Sequence, residues 1–337
     1  MLRITGDINF SDGYFDTGIG TGSRIRMGMN PFRHLKRDSD DYWIGNFECV
    51  CADTSDQQGL KARQFLITPE ALQHVSHLNC YGVANNHVSQ HGPEAFRRLI
   101  DYLGSKGVAY AGTREKRTHV LQHQGKQVSL TAFSLRPDNF TDAPAYWHLP
   151  ELSDVQSELS RHADSDYRIV FVHWGNEFIN YPYIDQKHVA HFLIDSGADL
   201  VVGMHPHVMQ GSEQYKNGWI FYSLGNFVFN MPWEPAQYGL IVNVDLSKTQ
   251  PAISFNYVRI GEDACPVITN DVPADYSMSR LNKLLGIQEE NEKYYAHVRK
   301  CCKNYRRVNR RKILSNFMQM KPHDSWGIIM EFVRKRI

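Results

Sequence analysis

Polar residues with ligand or acid–base chemistry collect where apolar runs end. Asp7 follows Leu2-Arg-Ile-Thr-Gly, and Glu48 closes Tyr42-Trp-Ile-Gly-Asn-Phe. Asn86 and His87 follow Tyr81-Gly-Val-Ala-Asn, His173 closes Arg168-Ile-Val-Phe-Val, and His205 and His207 flank Pro206 just past Leu200-Val-Val-Gly-Met. Two carboxylates, one carboxamide and up to four imidazoles form a mixed oxygen and nitrogen donor set. Such a set suits Mn²⁺, Fe²⁺, Zn²⁺ or Co²⁺ and disfavours a thiolate-type structural zinc site. The donors outnumber one tetrahedral ion's needs, so two divalent metal ions sharing a carboxylate are expected. Such a pair activates a bridging water and clamps the oxygens of an attacked phosphate ester or related electrophile. His87, beside Asn86, is the expected proton donor to the leaving group. Glu177, in Trp174-Gly-Asn-Glu, either shapes the pocket or is simply solvated. Each position also has a plainer reading: Asp7 as a cap, Glu48 as an ion-pair partner, Asn85-Asn86 as a turn, His173 as a satisfied core histidine. Coincidence would have to recur at every strand end for the plain reading to hold throughout.

These residues need strands that end on one rim, because ligands of open α/β sheets bind outside the carboxyl ends of the strands. Strands are expected at 2–7, 42–48, 81–84, 108–112, 168–173, 198–203, 219–225, 240–245 and 252–260, with a hairpin around Gly125-Lys126 in 117–135. Helices are expected from Pro69 to about His77, from Pro93 through Leu103, and over 184–196. Segment 11–42 reads as loop with a short helix near 31–37. Residues 276–337 read as mostly helical, and Tyr294, Val298, Cys301, Tyr305 and Val308 form one apolar stripe. Strands alternate with helices to about residue 205 and hairpins follow. The expected fold is therefore α/β, a layered sandwich with mixed β-sheets flanked by helices, over 1–265, with a basic helical C-terminal extension over 266–337.

The 337 residues are 42 % apolar and 22 % charged, ordinary for a globular chain. No run approaches a membrane span. Met1-Leu-Arg-Ile-Thr enters a strand without a signal-like apolar stretch, so a cytoplasmic protein is expected. The six cysteines, at 49, 51, 80, 265, 301 and 302, form no CxxC pair and read as reduced thiols. The glycines of 18–22 lack the Lys-Ser/Thr of a P-loop. The net charge of +1 hides an asymmetry: residues 293–337 hold 13 Lys and Arg against 2 Asp and Glu, so the body is acidic and the tail basic. Arg306, Arg307, Arg310, Arg311 and Lys312 crowd one part of a helix opposite its apolar stripe. They are either a solvated face or a peripheral contact with anionic polymer or with anionic lipid at the inner membrane face. No specific nucleic-acid motif is present.

The order Gly6-Asp7, Asn46-Phe-Glu48, Ala84-Asn-Asn-His87, His173-Trp-Gly175, Gly203-Met-His-Pro-His207 and Ser223-Leu-Gly-Asn226 resembles the CapA family of bacterial capsule and poly-γ-glutamate synthesis proteins, over about residues 2–245. The resemblance implies a calcineurin-like metallophosphoesterase fold. By position, it implies Asp7 and His207 on a first metal, Glu48 bridging, Asn86, His173 and His205 on a second, and His87 near the scissile group. The wider superfamily has a histidine where Asn9 stands, so a strong first-metal ligand is missing. Gln90 stands where the family often has Asp, and the membrane anchor common in the family is not seen here. The expectation is a metal-dependent hydrolase, phosphoesterase-like, acting on a phosphorylated or polymer-linked substrate in capsule or exopolysaccharide biosynthesis. Two alternatives remain: a weak or inactive accessory subunit, which Asn9 favours, and amide hydrolysis in a γ-linked polymer.

Overall fold

The computed structural model describes residues 1–51, 64–67, 69–287 and 289–334. In chain order the first half contains β1 (Leu2–Ile8), α1 (Thr21–Arg26), β2 (Tyr42–Phe47), β3 (Val50–Cys51), β4 (Leu66–Ile67), α2 (Pro69–Leu72), β5 (Cys80–Gly82), α3 (Gly92–Ser105) and β6 (Ala109–Ala111). There follow β7 (Thr118–His123), β8 (Lys126–Ser134), α4 (Leu152–Arg161), β9 (Tyr167–His173), α5 (Ile184–Asp195), β10 (Leu200–Met204), β11 (Ser212–Tyr215) and β12 (Gly218–Phe221). The chain continues through β13 (Asn226–Val228), β14 (Tyr238–Asp245), β15 (Ala252–Ile260), β16 (Pro266–Thr269), α6 (Met278–Leu284), α7 (Asn291–Asn316) and α8 (Pro322–Arg334).

Two mixed sheets stack face to face. One runs β16-β15-β14-β1-β2-β5-β6, with β13 also paired to β1; the other runs β11-β12-β10-β9-β8-β7. Strands β1, β2, β5 and β6 are parallel, as are β8, β9, β10 and β12. Parallel strands require cover on both faces, and the sequence supplies it. Leu2, Ile4, Ile44, Leu130, Ile169 and Leu200 fill the space between the sheets. On the outside of the first sheet, Phe96, Leu99 and Leu103 of α3 pack towards Phe47 and Tyr81. Outside the second, Val155 and Leu159 of α4 and Leu193 of α5 meet Val170, Val172 and Val201. The layered α/β sandwich flanked by helices is thus the observed architecture, with helices closing the chain.

Several expectations change in detail. No helix forms near 31–37, which is a run of turns; the helix of that region is α1. Asp12 places it, its carboxylate accepting the Ser23 amide at 2.8 Å and the Ser23 hydroxyl at 2.6 Å, a link that local spacing does not reveal. The expected 69–77 helix is only the single turn α2 followed by a 3₁₀ turn at Val75–His77, where the His77 ring stacks on Phe32. The sheet also continues past residue 265 into β16. Among the described residues no helix is long and apolar enough to cross a membrane.

Candidate metal centre

The strand ends meet. β1 delivers Asp7 beside Asn46 of β2 on one side and Asn226 of β13 on the other. Two glycines allow this: a Cβ on Gly6 would lie 1.9 Å from the Gly225 carbonyl oxygen, and Gly225 sits at φ +67°. Glu48 follows β2, Asn86 follows β5, and His173 ends β9 in register with Met204 of β10, which leads into His205 and His207. His205 at φ +97° and His207 at φ +57° occupy the left-handed region that L-residues avoid. Backbone strain of this kind collects at functional sites.

Asp7, Glu48 and His173 each offer a ligand atom within 4.8 Å of the others. His207 Nδ1 lies 3.3 Å from Asp7 Oδ2 and its Nε2 lies 3.8 Å from Glu48 Oε2. His173 Nε2 is 3.2 Å from Asn86 Oδ1, and the His173 and His205 ring centroids are 4.7 Å apart. All six expected ligands therefore converge, and all are buried. Glu48 Oε2, His173 Nδ1 and both ring nitrogens of His205 nonetheless have no hydrogen-bond partner. His173 Nδ1 is 3.3 Å from Glu48 Oε1 without making a hydrogen bond. These atoms are near one another but not aimed at one another. Buried donors so arranged fit a shared cation, since an unpaired buried polar group is otherwise costly.

The electrostatics agree. Burial, then the neighbouring Asp7, raises the Glu48 carboxyl well above its ordinary range. Burial holds His173 and His205 well below theirs, so both are neutral with lone pairs available. At His207 burial works downward, but Glu48 and Asp7 outweigh it and raise the ring to about 9. A divalent cation at these atoms would favour the Glu48 carboxylate and the neutral His207 ring, the forms that bind metal.

His87 stands at the edge of this cluster. Phe65 stacks flat on it with ring centroids 3.5 Å apart, and its Nδ1 is 3.1 Å from Gln90 Oε1. Gln90 Nε2 donates to the Gln64 carbonyl oxygen, so its oxygen faces the ring and Nδ1 carries the proton. Burial lowers the His87 pKa to about 3. The expected proton donor is thus a neutral imidazole with Nε2 as an acceptor. Asn9 does not join the cluster through its oxygen, which accepts the Ser11 amide at 2.9 Å and hydroxyl at 2.7 Å. Glu177 is close enough for its charge to raise both Glu48 and His207.

Three contributors escaped the sequence reading. Asn46 Nδ2 donates to Asp7 Oδ1 at 2.8 Å and to Glu48 Oε1 at 3.1 Å, holding both carboxylates. Asn226 spends its NH₂ on the His207 and Ala236 carbonyl oxygens and presents Oδ1 to His207 Nδ1 at 3.0 Å. That contact leaves Nε2 free for a ligand, the usual orienting arrangement of a metal-binding histidine. Both asparagines lie in the strand-end motifs, which was the available signal. Arg136, just past β8, adds positive charge that acts on His173 and His205; nothing in its local sequence marked it. A second group of possible ligands, His34, Asp263 and Cys265, lies elsewhere. There Arg33 already pairs with the Asp263 carboxylate oxygen that faces His34, which opposes a cation.

The family model described as bacterial capsule synthesis protein PGA_cap matches residues 2–231. That span contains every residue of the cluster. The capsule biosynthesis protein CapA of Bacillus anthracis is 30 % identical over 246 residues, covering 66 % of this chain and 59 % of that protein. The PGA biosynthesis protein CapA of Bacillus subtilis (strain 168) is 28 % identical over 229 residues, covering 62 % of this chain and 59 % of that one. The chain thus spans about three fifths of the length of these relatives. A 5′-nucleotidase structure from Candida albicans SC5314 is similar at a TM-score of 0.47 and 12 % identity, over 91 % of this chain and 57 % of that one.

Proposed function

The chain belongs to the bacterial capsule synthesis protein family PGA_cap, and on that premise we propose that it is a metal-dependent, phosphoesterase-like hydrolase acting in capsule or exopolysaccharide biosynthesis. The observation that carries this reading is the set of buried, unpartnered ligand atoms on Glu48, His173 and His205, gathered around Asp7, Asn86 and His207. Asp7 and His207 would hold one divalent cation, Asn86, His173 and His205 a second, and Glu48 both. The chemistry supplied when Mn, Fe or Zn is bound is Lewis acidity and activation of water at neutral pH.

The protein's own residues do the rest. Asn46 fixes the two carboxylates, and Asn226 fixes the tautomer of His207. Arg136 supplies positive charge for an anionic substrate. His87, neutral, orients a water or substrate hydroxyl through its Nε2 lone pair, and it gains a proton to donate only when phosphate charge is beside it. The exposed basic face of α7 suits an anionic polymer or an anionic membrane surface. A second reading, an accessory subunit without turnover, is favoured by Asn9, whose oxygen is committed to the adjoining loop. Attack on the carbonyl of a γ-linked polymer would use the same centre.

Metal analysis and hydrolysis of bis(p-nitrophenyl) phosphate test the proposal. The expected result is bound Mn, Fe or Zn and chelator-sensitive turnover, lost in His205→Ala and Glu48→Ala with folding retained. His87→Ala should keep its metal and lose about 10²–10⁴ in rate; loss of metal there would overturn its assigned place. A purified chain that takes up no metal and turns over nothing would support the accessory reading.

A further inference from the structure

Next to the metal centre, the body and the C-terminal helices line a half-open cavity of about 910 Å³. Its position is set by aromatic rings that serve both spaces. Phe65, stacked on His87, lines it, as does Phe229, which meets the His207 ring edge-on with centroids 4.7 Å apart. Asn9, two residues beyond Asp7, is also in its wall. The apolar part of the wall comes from the end of α7 and from α8, with Ile313, Phe317 and Ile328 among its residues. A soluble chain leaves little reason for so much apolar wall to face water, and cavities of this size and lining are typical of sites for small organic ligands.

The polar groups show the sign of the ligand. Arg306 and Arg310, one helical turn apart on α7, both line the cavity. Both are exposed, and among the described residues neither forms a salt bridge with a carboxylate. Asn309 between them has a buried side-chain oxygen without a hydrogen-bond partner. Asp12, the acid in the wall, is already occupied by the Gly18 and Ser23 amides and the Ser23 hydroxyl. The cavity therefore joins an apolar wall to unpaired guanidinium groups and opens beside a phosphoesterase-like centre.

We propose that this cavity takes the hydrocarbon part of an anionic amphiphile whose phosphoryl group lies at the metal centre, so that the substrate class is a lipid-linked phosphoester. The proposal rests on the hydrolase reading above and narrows it. A free sugar phosphate or a soluble anionic polymer would gain nothing from Ile313, Phe317 and Ile328. A chain of methylenes would gain from each of them.

The test uses n-alkyl phosphates from butyl to decyl, below micelle formation, against the full metal-loaded protein. Calorimetric affinity is measured together with inhibition of bis(p-nitrophenyl) phosphate hydrolysis. Affinity should rise by roughly fourfold for each methylene that becomes buried. Ile313→Ser should flatten that rise, and Arg310→Ala should weaken the whole series without changing its slope. An affinity independent of chain length, with bis(p-nitrophenyl) phosphate still hydrolysed, overturns the lipid-linked substrate and leaves the hydrolase reading standing. A steep series in a protein that hydrolyses nothing supports the occupant and removes the hydrolase reading instead. The wild-type series decides the matter even if the Ile313 variant fails to fold.

Discussion

Asn46 shows how an uncharged side chain can govern a charged centre. Its one NH₂ group reaches Asp7 and Glu48 together, and its oxygen lies 3.4 Å from Asn85 Nδ2. Asn46→Ala would remove the hydrogen bonds that orient both carboxyl groups. The expected outcome is a 10- to 100-fold loss of metal affinity with the fold intact, read by competition with a coloured chelator; unchanged affinity would show that the strand ends alone position the ligands. At this scale the sequence was informative about charged and imidazole groups and about the amide of Asn86, and silent on the holding roles of the Asn46 and Asn226 amides. Asp7, Glu48, His173, His205 and His207 stood out because such residues rarely close buried strands. Asn46 and Asn226 were in the same motifs, yet asparagine near a strand end reads equally well as a turn former. Only the pairing of Asp7 with both of them separates the two meanings. The role expected of His87 changed for a similar reason: the stacking of Phe65 is a long-range contact, and with burial it determines which protonation state the ring holds.

Elements bring these residues together only where backbones can approach closely. The β1–β13 junction is the tightest such place, because Gly6 faces the Gly225 carbonyl with no room for a methyl group. Gly6→Ala should cost about 3 kcal/mol or more, since the obstructing atom is backbone and cannot rotate away. Gly104→Ala in α3 is the control: it has open space around it, and should be neutral or stabilise by about 0.5–1 kcal/mol through helix propensity. Urea denaturation of the two variants checks the pair, and similar stabilities would contradict the account of the junction. Long apolar strands such as β9 and β10, and α3 with its buried Ala95, Phe96, Leu99 and Leu103, were legible from periodicity. Among short or polar elements, β5 and β6 were legible but β13 and α4 were not. β13 is three residues long and depends on Gly6 for its partner. α4 reads Leu-Ser-Asp-Val-Gln-Ser-Glu-Leu-Ser-Arg, with Val155 and Leu159 as its buried apolar anchors, too few to declare a face. The segment 31–37 lost its expected helix to tertiary ties, among them Arg37 reaching the carbonyl oxygens of Ser76 and His77 and the side chain of Asn79.

The whole molecule combines an acidic body with a basic helical tail, and the apolar stripe of α7 meets the body next to the metal centre: Tyr305 stacks on Phe178 with centroids 4.2 Å apart, and Phe178 neighbours His207. The centre therefore lies between two sheets and a helix, and its ionic balance bears on global stability. Without a cation, burial disfavours the Glu48 charge and leaves ligand atoms of Glu48, His173 and His205 unpaired, which is costly. A cation that binds only the folded chain stabilises it by about 2.7 kcal/mol when its concentration is 100 times the dissociation constant. For a chain of this length that corresponds to a Tm increase of about 5 °C. Titrating Mn²⁺ or Zn²⁺ into chelator-stripped protein should show this rise. Glu48→Gln should do two things at once: raise the Tm of the stripped protein at neutral pH, because a buried acid that folding forces to hold its proton is replaced by a neutral amide, and abolish most of the metal-dependent increment, because the shared ligand is weakened. The opposing signs make the experiment discriminating. A purely structural Glu48 would lose stability on substitution and leave the metal increment unchanged, whereas a Glu48 that waits for a cation trades metal-free instability for bound-state order.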